Sequence, residues 1–344
     1  MPIQGMTRFR KWQFGKQSSL GTGVAATRRI PFRGTLDVNP NWTDQDEVDV
    51  GSIDPVLPAY RTQTDITASL TATLDFHHIP MLLSAGLIGD VSGSAVGGGA
   101  YTWTHTGVSL TATELEYFTT EWADDVDADG YDAIDGIVES LEFSFDDDLG
   151  PWNVSADWRF GSVDHGVTPT AALNVASNLP LLFGADTELY IDDTSGAIGS
   201  TKITDALHSA TIRIDNEIDV KRFANGSNSR FQVDGYGLSG REIMASFTFA
   251  KTDAIIGALD SEVTDWLNAD PVNRYVKVLV QSTQEAETGT PYSWDLRLSG
   301  TWRTRDDGEL GGNSTVTLEM KGRYDAALTY PIRSVVTNTL AALP

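Results

Sequence analysis

Two stretches of the chain share one pattern of hydrophobic and polar positions. In residues 66–86 (ITASLTATLDFHHIPMLLSAG) apolar side chains alternate with threonine and serine, and a dense apolar run follows at once. Residues 242–259 (EIMASFTFAKTDAIIGAL) repeat that order. A period of two predicts a strand with one buried face, and the apolar run predicts a short helix. Because further strand patterns follow each copy, we predict a mainly β protein of two tandem β-sandwich or barrel domains, each flanked by one short helix.

The pattern between these stretches predicts the domain limits. An N-terminal segment mixes basic and aromatic residues with an aperiodic Gly/Ser/Thr run, which is typical of an arm that orders against a neighbour. A second segment is low in charge and bounded by prolines, as in a linker. The predicted segments are an arm at 1–34, a first β-domain at 35–165, a linker at 166–182, a second β-domain at 183–326 and a C-terminal tail at 327–344.

Residues 39–64 hold three prolines and an acidic run, and they are too long and polar for a simple turn. We predict a projecting loop there, because a loop of this length usually has a function.

No window approaches eighteen consecutive apolar residues, and no apolar run follows the basic N-terminal residues. We therefore expect a soluble chain without a membrane span or a secretory signal.

Composition narrows the classes of function. The chain has 344 residues, no cysteine and a formal net charge of -24. Without cysteine, disulfides, thiolate metal sites and cysteine nucleophiles are excluded. So large a negative charge argues against a protein that binds nucleic acid through its phosphates, since such binding needs clustered lysine and arginine. An aspartate-rich, lysine-poor surface fits a high-salt habitat, and a GC-rich genome that favours arginine is the alternative.

The sharpest local motif is the acidic segment DVDADG at 125–130. Asp125, Asp127 and Asp129 alternate as the oxygen ligands of a calcium loop do, and a glycine follows. The twelfth loop position is Gly136, where a bidentate glutamate is needed, and the nearest carboxylate is Asp135. Calcium is thus the one cofactor considered, at Asp125, Asp127, Asp129 and Asp135, and a solvated acidic loop is the alternative.

Motifs of catalysis are missing from the sequence. It has no nucleophile elbow, phosphate loop or H-E-x-x-H helix, and the glycine-rich stretch 235–240 (GYGLSG) is predicted to be a loop. Several tryptophans in predicted strands are more typical of cores and interfaces than of carbohydrate platforms. We therefore expect a structural protein and no enzyme.

Three segments resemble a known family. Residues 15–34 (GKQSSLGTGVAATRRIPFRG), 66–89 (ITASLTATLDFHHIPMLLSAGLIG) and 207–249, together with their order, resemble the major tail tube proteins of long-tailed, non-contractile viruses of bacteria and archaea. The resemblance is one of pattern and order, without a diagnostic motif. It implies tail-tube-type β-domains that pack side by side into rings, which stack through arms and long loops into a tube.

The resemblance also implies partners and a location. In such a tube, viral DNA passes through the channel without specific binding, and a negative wall repels its phosphates. If each chain holds two copies of the domain, three chains build a ring of pseudo-sixfold shape; single-domain members use six. Residues 15–27 correspond to the arm, 39–64 to the stacking loop, and the strands at 66 and 242 to sheet positions near the channel. The implied partners are further copies and the tape-measure, tail-terminator and tail-tip proteins, in the virion tail and, during assembly, in the host cytoplasm.

Two other classes of function remain open. The first is a surface β-sandwich adhesin or envelope protein that binds glycan through tryptophan and the Asp125 loop, with calcium. The second is a hydrolase on a β-scaffold with its carboxylates hidden among the many aspartates. The first predicts calcium-dependent binding without self-assembly, and the second predicts turnover of a glycan.

Overall fold

The computed structural model describes residues 10–43, 60–107, 115–124, 129–173, 175, 179–223, 233–252 and 272–344. The strands are Lys11–Lys16 (β1), Arg28–Ile30 (β2), Leu36–Thr43 (β3), Tyr60–Thr73 (β4), Ser94–Gly97 (β5), Ala100–Gly107 (β6), Phe118–Ala123 (β7), Gly130–Phe145 (β8), Asn153–Phe160 (β9), Ser162–Val167 (β10), Thr187–Asp192 (β11), Lys202–Ile203 (β12), Leu207–Lys221 (β13), Gly235–Ala250 (β14), Arg274–Glu287 (β15), Thr290–Leu310 (β16), Asn313–Gly322 (β17) and Ile332–Asn338 (β18). Helix α1 is Ile79–Gly86, and short 3-10 turns lie at Gly184–Asp186 and Ser195–Ala197.

The prediction of a mainly β protein is confirmed. The strands join in one large antiparallel sheet. Its centre has the order β3–β4–β9–β8–β13–β14–β17–β16, with β8 and β16 each taking part through the second half of the strand. We call these eight strands the central sheet. It crosses from strands of the first half of the sequence to strands of the second half between β8 and β13.

The central sheet contains one arrangement of four strands twice. The set β3–β4–β9–β8 has the same order as β13–β14–β17–β16. β8 has a register shift between Val138 and Ser140 opposite β9, and β16 has one between Trp302 and Thr304 opposite β17. The first strands of the two sets also shift register, after Asn41 on β3 and after Glu217 on β13. Aligning these shifts makes β3 equivalent to β13 and β8 equivalent to β16.

The first halves of β8 and β16 lie in two smaller sheets, which again share an order. One sheet is β2–β1–β7–β8–β10 and the other contains β12–β11–β15–β16–β18, extended by β6 and β5. Both smaller sheets pack on the central sheet: the ring of Phe14 lies 5.4 Å from that of Trp158, and Trp294 lies 5.2 Å from Phe143. The result is a sandwich with a continuous core, in which all of α1 is buried.

Some sequence-predicted elements lie where they were expected. Alternation in 66–73 produces β4, whose Ile66, Ala68 and Leu70 are buried. The dense apolar run after it forms α1, with Pro80 in the first turn where its missing N–H is not needed. The second predicted helix, at 253–259, lies outside the described residues.

Other elements differ from the sequence prediction. Part of the arm is β1, which lies between β2 and β7, and part of the tail is β18, which lies between β6 and β16. The loop prediction for 39–64 was wrong at both ends, because 39–43 and 60–64 are paired strand of the β3–β4 hairpin; residues 44–59 lie outside the described part. The loop prediction for 235–240 was wrong: these residues are strand, since their backbone pairs with the end of β13. The predicted domain limits stay a prediction.

Candidate functional surface

One face of the central sheet is polar across both halves of the chain. On each strand the side chains that point away from the core are mostly Thr, Ser, Asp or Glu, while their neighbours are buried. We call this the polar sheet face. Its members include Thr67, Ser69, Thr71, Thr73, Ser140, Glu142, Ser144, Asn153, Ser155, Asp157, Arg159, Thr211, Arg213, Asp215, Glu242, Ser246, Thr248, Thr317, Glu319 and Lys321.

Strand register places these side chains in rows across the sheet. One row reads Thr73, Asn153, Ser144, Thr211, Ser246 and Glu319 from β4 to β17. A parallel row runs through Ser69, Asp157, Ser140, Asp215 and Glu242. Met244, opposite Arg213, is the apolar interruption in the row between them. The face is thus a hydroxyl-lined surface with scattered charge.

Carboxylates outnumber cations on this face. Five carboxylates face three cations, Arg159, Arg213 and Lys321; the carboxylates are Asp157, Glu142, Asp215, Glu242 and Glu319. Arg159 pairs with Glu139. Arg213 bonds the neighbouring Asp215 with Nε 2.9 Å from Oδ1, which raises the pKa of the guanidinium, and Lys321 pairs with Glu242. Asp157 accepts a 2.6 Å hydrogen bond from Ser69 Oγ. The remaining negative charge makes the face repulsive toward phosphate groups at neutral pH.

Both edges of the central sheet have one partner strand among the described residues. β3 pairs with β4 at one end, and the second half of β16 pairs with β17 at the other. An edge strand offers unpaired N–H and C=O groups to another chain. These edges are equivalent to the two strands that meet inside the chain at the β8–β13 joint.

The predicted calcium ligands are not brought together in the described part of the chain. Asp129 precedes β8 and pairs with His165, with Oδ1 2.7 Å from Nε2. Asp135 lies within β8, so the strand between them separates their Cα atoms by roughly 20 Å. Its carboxylate accepts hydrogen bonds from Gly21 N at 2.7 Å and Gln17 Nε2 at 3.2 Å. Asp125 and Asp127 lie outside the described residues, and the calcium hypothesis stays a prediction.

Asp135 has a structural task that sequence spacing did not indicate. It is buried, and its backbone carbonyl accepts a 3.0 Å hydrogen bond from the Tyr236 hydroxyl. Burial raises the pKa of the Asp135 carboxyl. The residue therefore ties the segment 17–21 to the start of β14. Its left-handed backbone, with φ of 62°, precedes the bend by which β8 enters the central sheet.

A buried serine–histidine pair joins helix α1 to β6. Ser84 Oγ and His105 Nε2 are 3.0 Å apart, and both residues are fully inaccessible to solvent. Desolvation lowers the pKa of His105 to about 3, so the ring is neutral at physiological pH. Because no substrate reaches this pair, its contribution is to satisfy polar groups inside the core.

Among the described residues, no group of three or more His, Asp or Glu side chains is arranged to hold a metal ion. Within the same part of the chain, no helix has the length and hydrophobicity needed to cross a bilayer. The chain matches no model of a known protein family and no curated protein sequence.

Proposed function

We propose that this protein is a tail tube subunit of a long-tailed virus, which polymerises into stacked rings around a DNA conduit. The observation that carries the proposal is the repeated four-strand order of the central sheet. The two sets are joined edge to edge at β8–β13, and each outer edge has one partner strand within the described ranges. A sheet of this kind extends by adding further copies.

The β8–β13 joint is the template for the contact between copies. Inside the chain, Ile212 lies opposite Phe143 and Arg213 lies opposite Glu142. The equivalent residues on the two open edges are Leu36 and Asp37 on β3, and Asp307 and Asp306 on β16. β3 of one copy then pairs with the second half of β16 in the next copy, in the same register and direction.

Ring size follows from strand number. Each chain contributes eight strands to the central sheet, so three chains give 24. With strands about 4.8 Å apart and tilted by about 40°, such a barrel is roughly 50 Å across between backbones, which leaves room for duplex DNA after side chains are counted. Three chains with two tandem tail-tube-type sandwich units each give the pseudo-sixfold ring; a hexamer is the alternative.

The polar sheet face supplies the channel wall. It is continuous across the β8–β13 joint, hydroxyl-rich and net negative, and this combination repels the phosphate backbone while offering few groups that hold it. DNA then slides through without specific binding. In this role the protein acts in the virion tail with tape-measure, tail-terminator and tail-tip proteins, and it has no catalytic task.

Negative-stain electron microscopy of the purified protein at high and low salt tests the proposal. Hollow stacked rings with three-lobed or six-lobed end views are expected. Monomers at every salt and protein concentration, together with calcium-dependent retention on a glycan array, would instead favour the surface adhesin.

A further inference from the structure

An arginine-lined groove lies at the base of β3. It has a volume of about 520 Å³, and its wall includes Arg10, Arg29 and Arg33 around Ile30, Pro31 and Phe32. We call it the arginine groove. Arg10 also lies over the Trp122 ring, with its guanidinium carbon 5.8 Å from the ring centroid. Among the described residues, no carboxylate forms an ion pair with these three arginines.

The groove is the exception in a strongly acidic chain. Residues 1–34 contain seven of the 24 lysines and arginines and none of the 48 acidic residues. Three unpaired guanidinium groups around one concavity repel each other, so the groove favours a ligand that carries carboxylates or phosphates. Its floor of Ile30, Pro31 and Phe32 adds apolar contact area.

The second half of the chain has a groove at the equivalent position. It has a volume of about 810 Å³ and lies along β12 and the connection into β13, as the arginine groove lies along the connection from β2 into β3. Leu149, in the turn between β8 and β9, forms part of its wall. Inside the chain, the turn that follows β8 therefore borders the groove that precedes β13.

The turn equivalent to β8–β9 is the β16–β17 turn, and it is acidic. Its sequence is DDGELGG at 306–312. Asp307 and Glu309 are two positions apart on β16, so they point to the same side. Asp307 is about half exposed and pairs with Lys251 at 3.1 Å and with Arg305 at 3.5 Å, whereas exposed Glu309 has no ion pair among the described residues.

We propose that the arginine groove binds the β16–β17 turn of a second copy of this chain, with Asp307 and Glu309 entering the groove beside Arg29. The inference rests on the proposed side-by-side assembly. Equivalence with the β8–β13 joint places Gly34 of one copy opposite Glu309 of the next, so Arg33 and Arg29 lie just beyond the hairpin end. Because groove and turn are different surfaces, the contact is heterologous and repeats around a ring.

Charge reversal on each side provides the test. Variant A carries Arg29→Glu and Arg33→Glu, variant B carries Asp307→Arg and Glu309→Arg, and variant AB carries all four changes. Lys221→Glu with Arg323→Glu is the control, because both cations are exposed and lie outside the groove and the proposed β3–β16 contact. Association is measured by sedimentation velocity, with circular dichroism to verify the fold.

We expect A and B each to weaken association at least about tenfold, since like charges then face each other, and AB to restore it, since opposite charges meet again. The control should associate as the unchanged protein does. Association of A and B at the original strength would overturn the inference and leave the tube proposal intact. A folded AB that stays as weak as A and B would also overturn it.

Two further outcomes separate this inference from its alternatives. If the unchanged protein does not self-associate, the tube proposal fails. A synthetic peptide of residues 303–316 is then titrated against the monomer. If its binding does not depend on the groove arginines, the groove assignment is overturned as well. If A loses affinity for a short DNA duplex but still assembles, the groove binds phosphate and the inference is wrong.

Discussion

Arg213 on β13 lies directly opposite Glu142 on β8, at the joint between the two four-strand sets of the central sheet. Beside them, Ile212 and Phe143 face each other on the other side of the sheet and are buried. The joint therefore has a charged side on the polar sheet face and a buried, apolar side in the core. If the chain assembles as proposed, it carries an internal copy of its own intermolecular contact.

Truncating the packed side of the joint should destabilise the fold. Ile212→Ala removes three carbons from a fully buried site and leaves a cavity, so we expect the free energy of unfolding to fall by about 2–4 kcal/mol. Thr211→Ala, the neighbour on the polar sheet face, should change it by less than about 0.5 kcal/mol. Urea denaturation followed by tryptophan fluorescence measures both. Equal effects would show that the joint is not packed as described.

Salt should control assembly through the residue equivalent to Arg213. On the open edge that residue is Asp37, and the predicted partner is Asp306, so two carboxylates meet where the internal joint places an arginine opposite a glutamate. Like charges directly opposite cost roughly 0.2–1 kcal/mol per pair, and salt screens them. Asp37→Arg should lower the salt concentration at which rings form, as measured by light scattering. Asp219→Arg, on the β13 hairpin arm, is the matched control; an equal shift there would indicate a general charge effect.

Reversing charge on the polar sheet face should make the proposed channel wall bind DNA. Glu142→Lys, Asp157→Lys and Asp215→Lys together should preserve assembly yet bind duplex DNA, with an affinity that falls as salt rises by about 0.9 log unit per log unit for each phosphate contacted. Fluorescence anisotropy with a short labelled duplex measures the effect. The same three changes at Asp146, Asp164 and Asp186, away from this face, should bind DNA less. Stronger binding by that control set would mean that DNA meets a different surface.

His105 should make stability fall on acidification. The pKa of His105 is about 3 in the folded chain and about 6.5 in the unfolded chain. Below pH 6.5 the unfolded state therefore binds a proton that the folded state does not bind. Stability is thus fully present above pH 6.5 and is lost progressively as pH falls toward 3. Between pH 7 and 4 the unchanged protein should lose about 3 kcal/mol more than His105→Gln. His208→Gln is the control, and parallel pH curves for all three proteins would refute the assignment.

The sequence predicted what depends on local periodicity. Alternation at Ile66, Ala68 and Leu70 indicated β4, and the apolar run after it indicated α1, because each pattern reports one buried face. Recognition that two stretches share a pattern pointed to β4 and β14, which occupy equivalent places in the central sheet.

Long-range pairing was outside the reach of that pattern. Nothing local to Ile332–Asn338 indicates that it lies between β6 and β16, because the strands that satisfy its backbone are far away in sequence. The glycine-rich start of β14 was misjudged for the same reason: its backbone is held by the end of β13, not by its own side chains. The polar sheet face needed strand register, since single strands show only that one side is polar.

Disulfide trapping across the proposed contact tests the central claim most directly. The chain has no cysteine, so an introduced pair reports only its own geometry. Asp37→Cys with Asp306→Cys should oxidise into chains linked copy to copy and close as covalent trimers on a non-reducing gel, since facing residues of an antiparallel pair are about 4.5–5.5 Å apart. Glu142→Cys with Arg213→Cys, the equivalent pair inside the chain, should close within one copy and is the positive control. If the control pair oxidises while the Asp37/Asp306 pair stays monomeric in assembling conditions, copies do not join edge to edge as proposed.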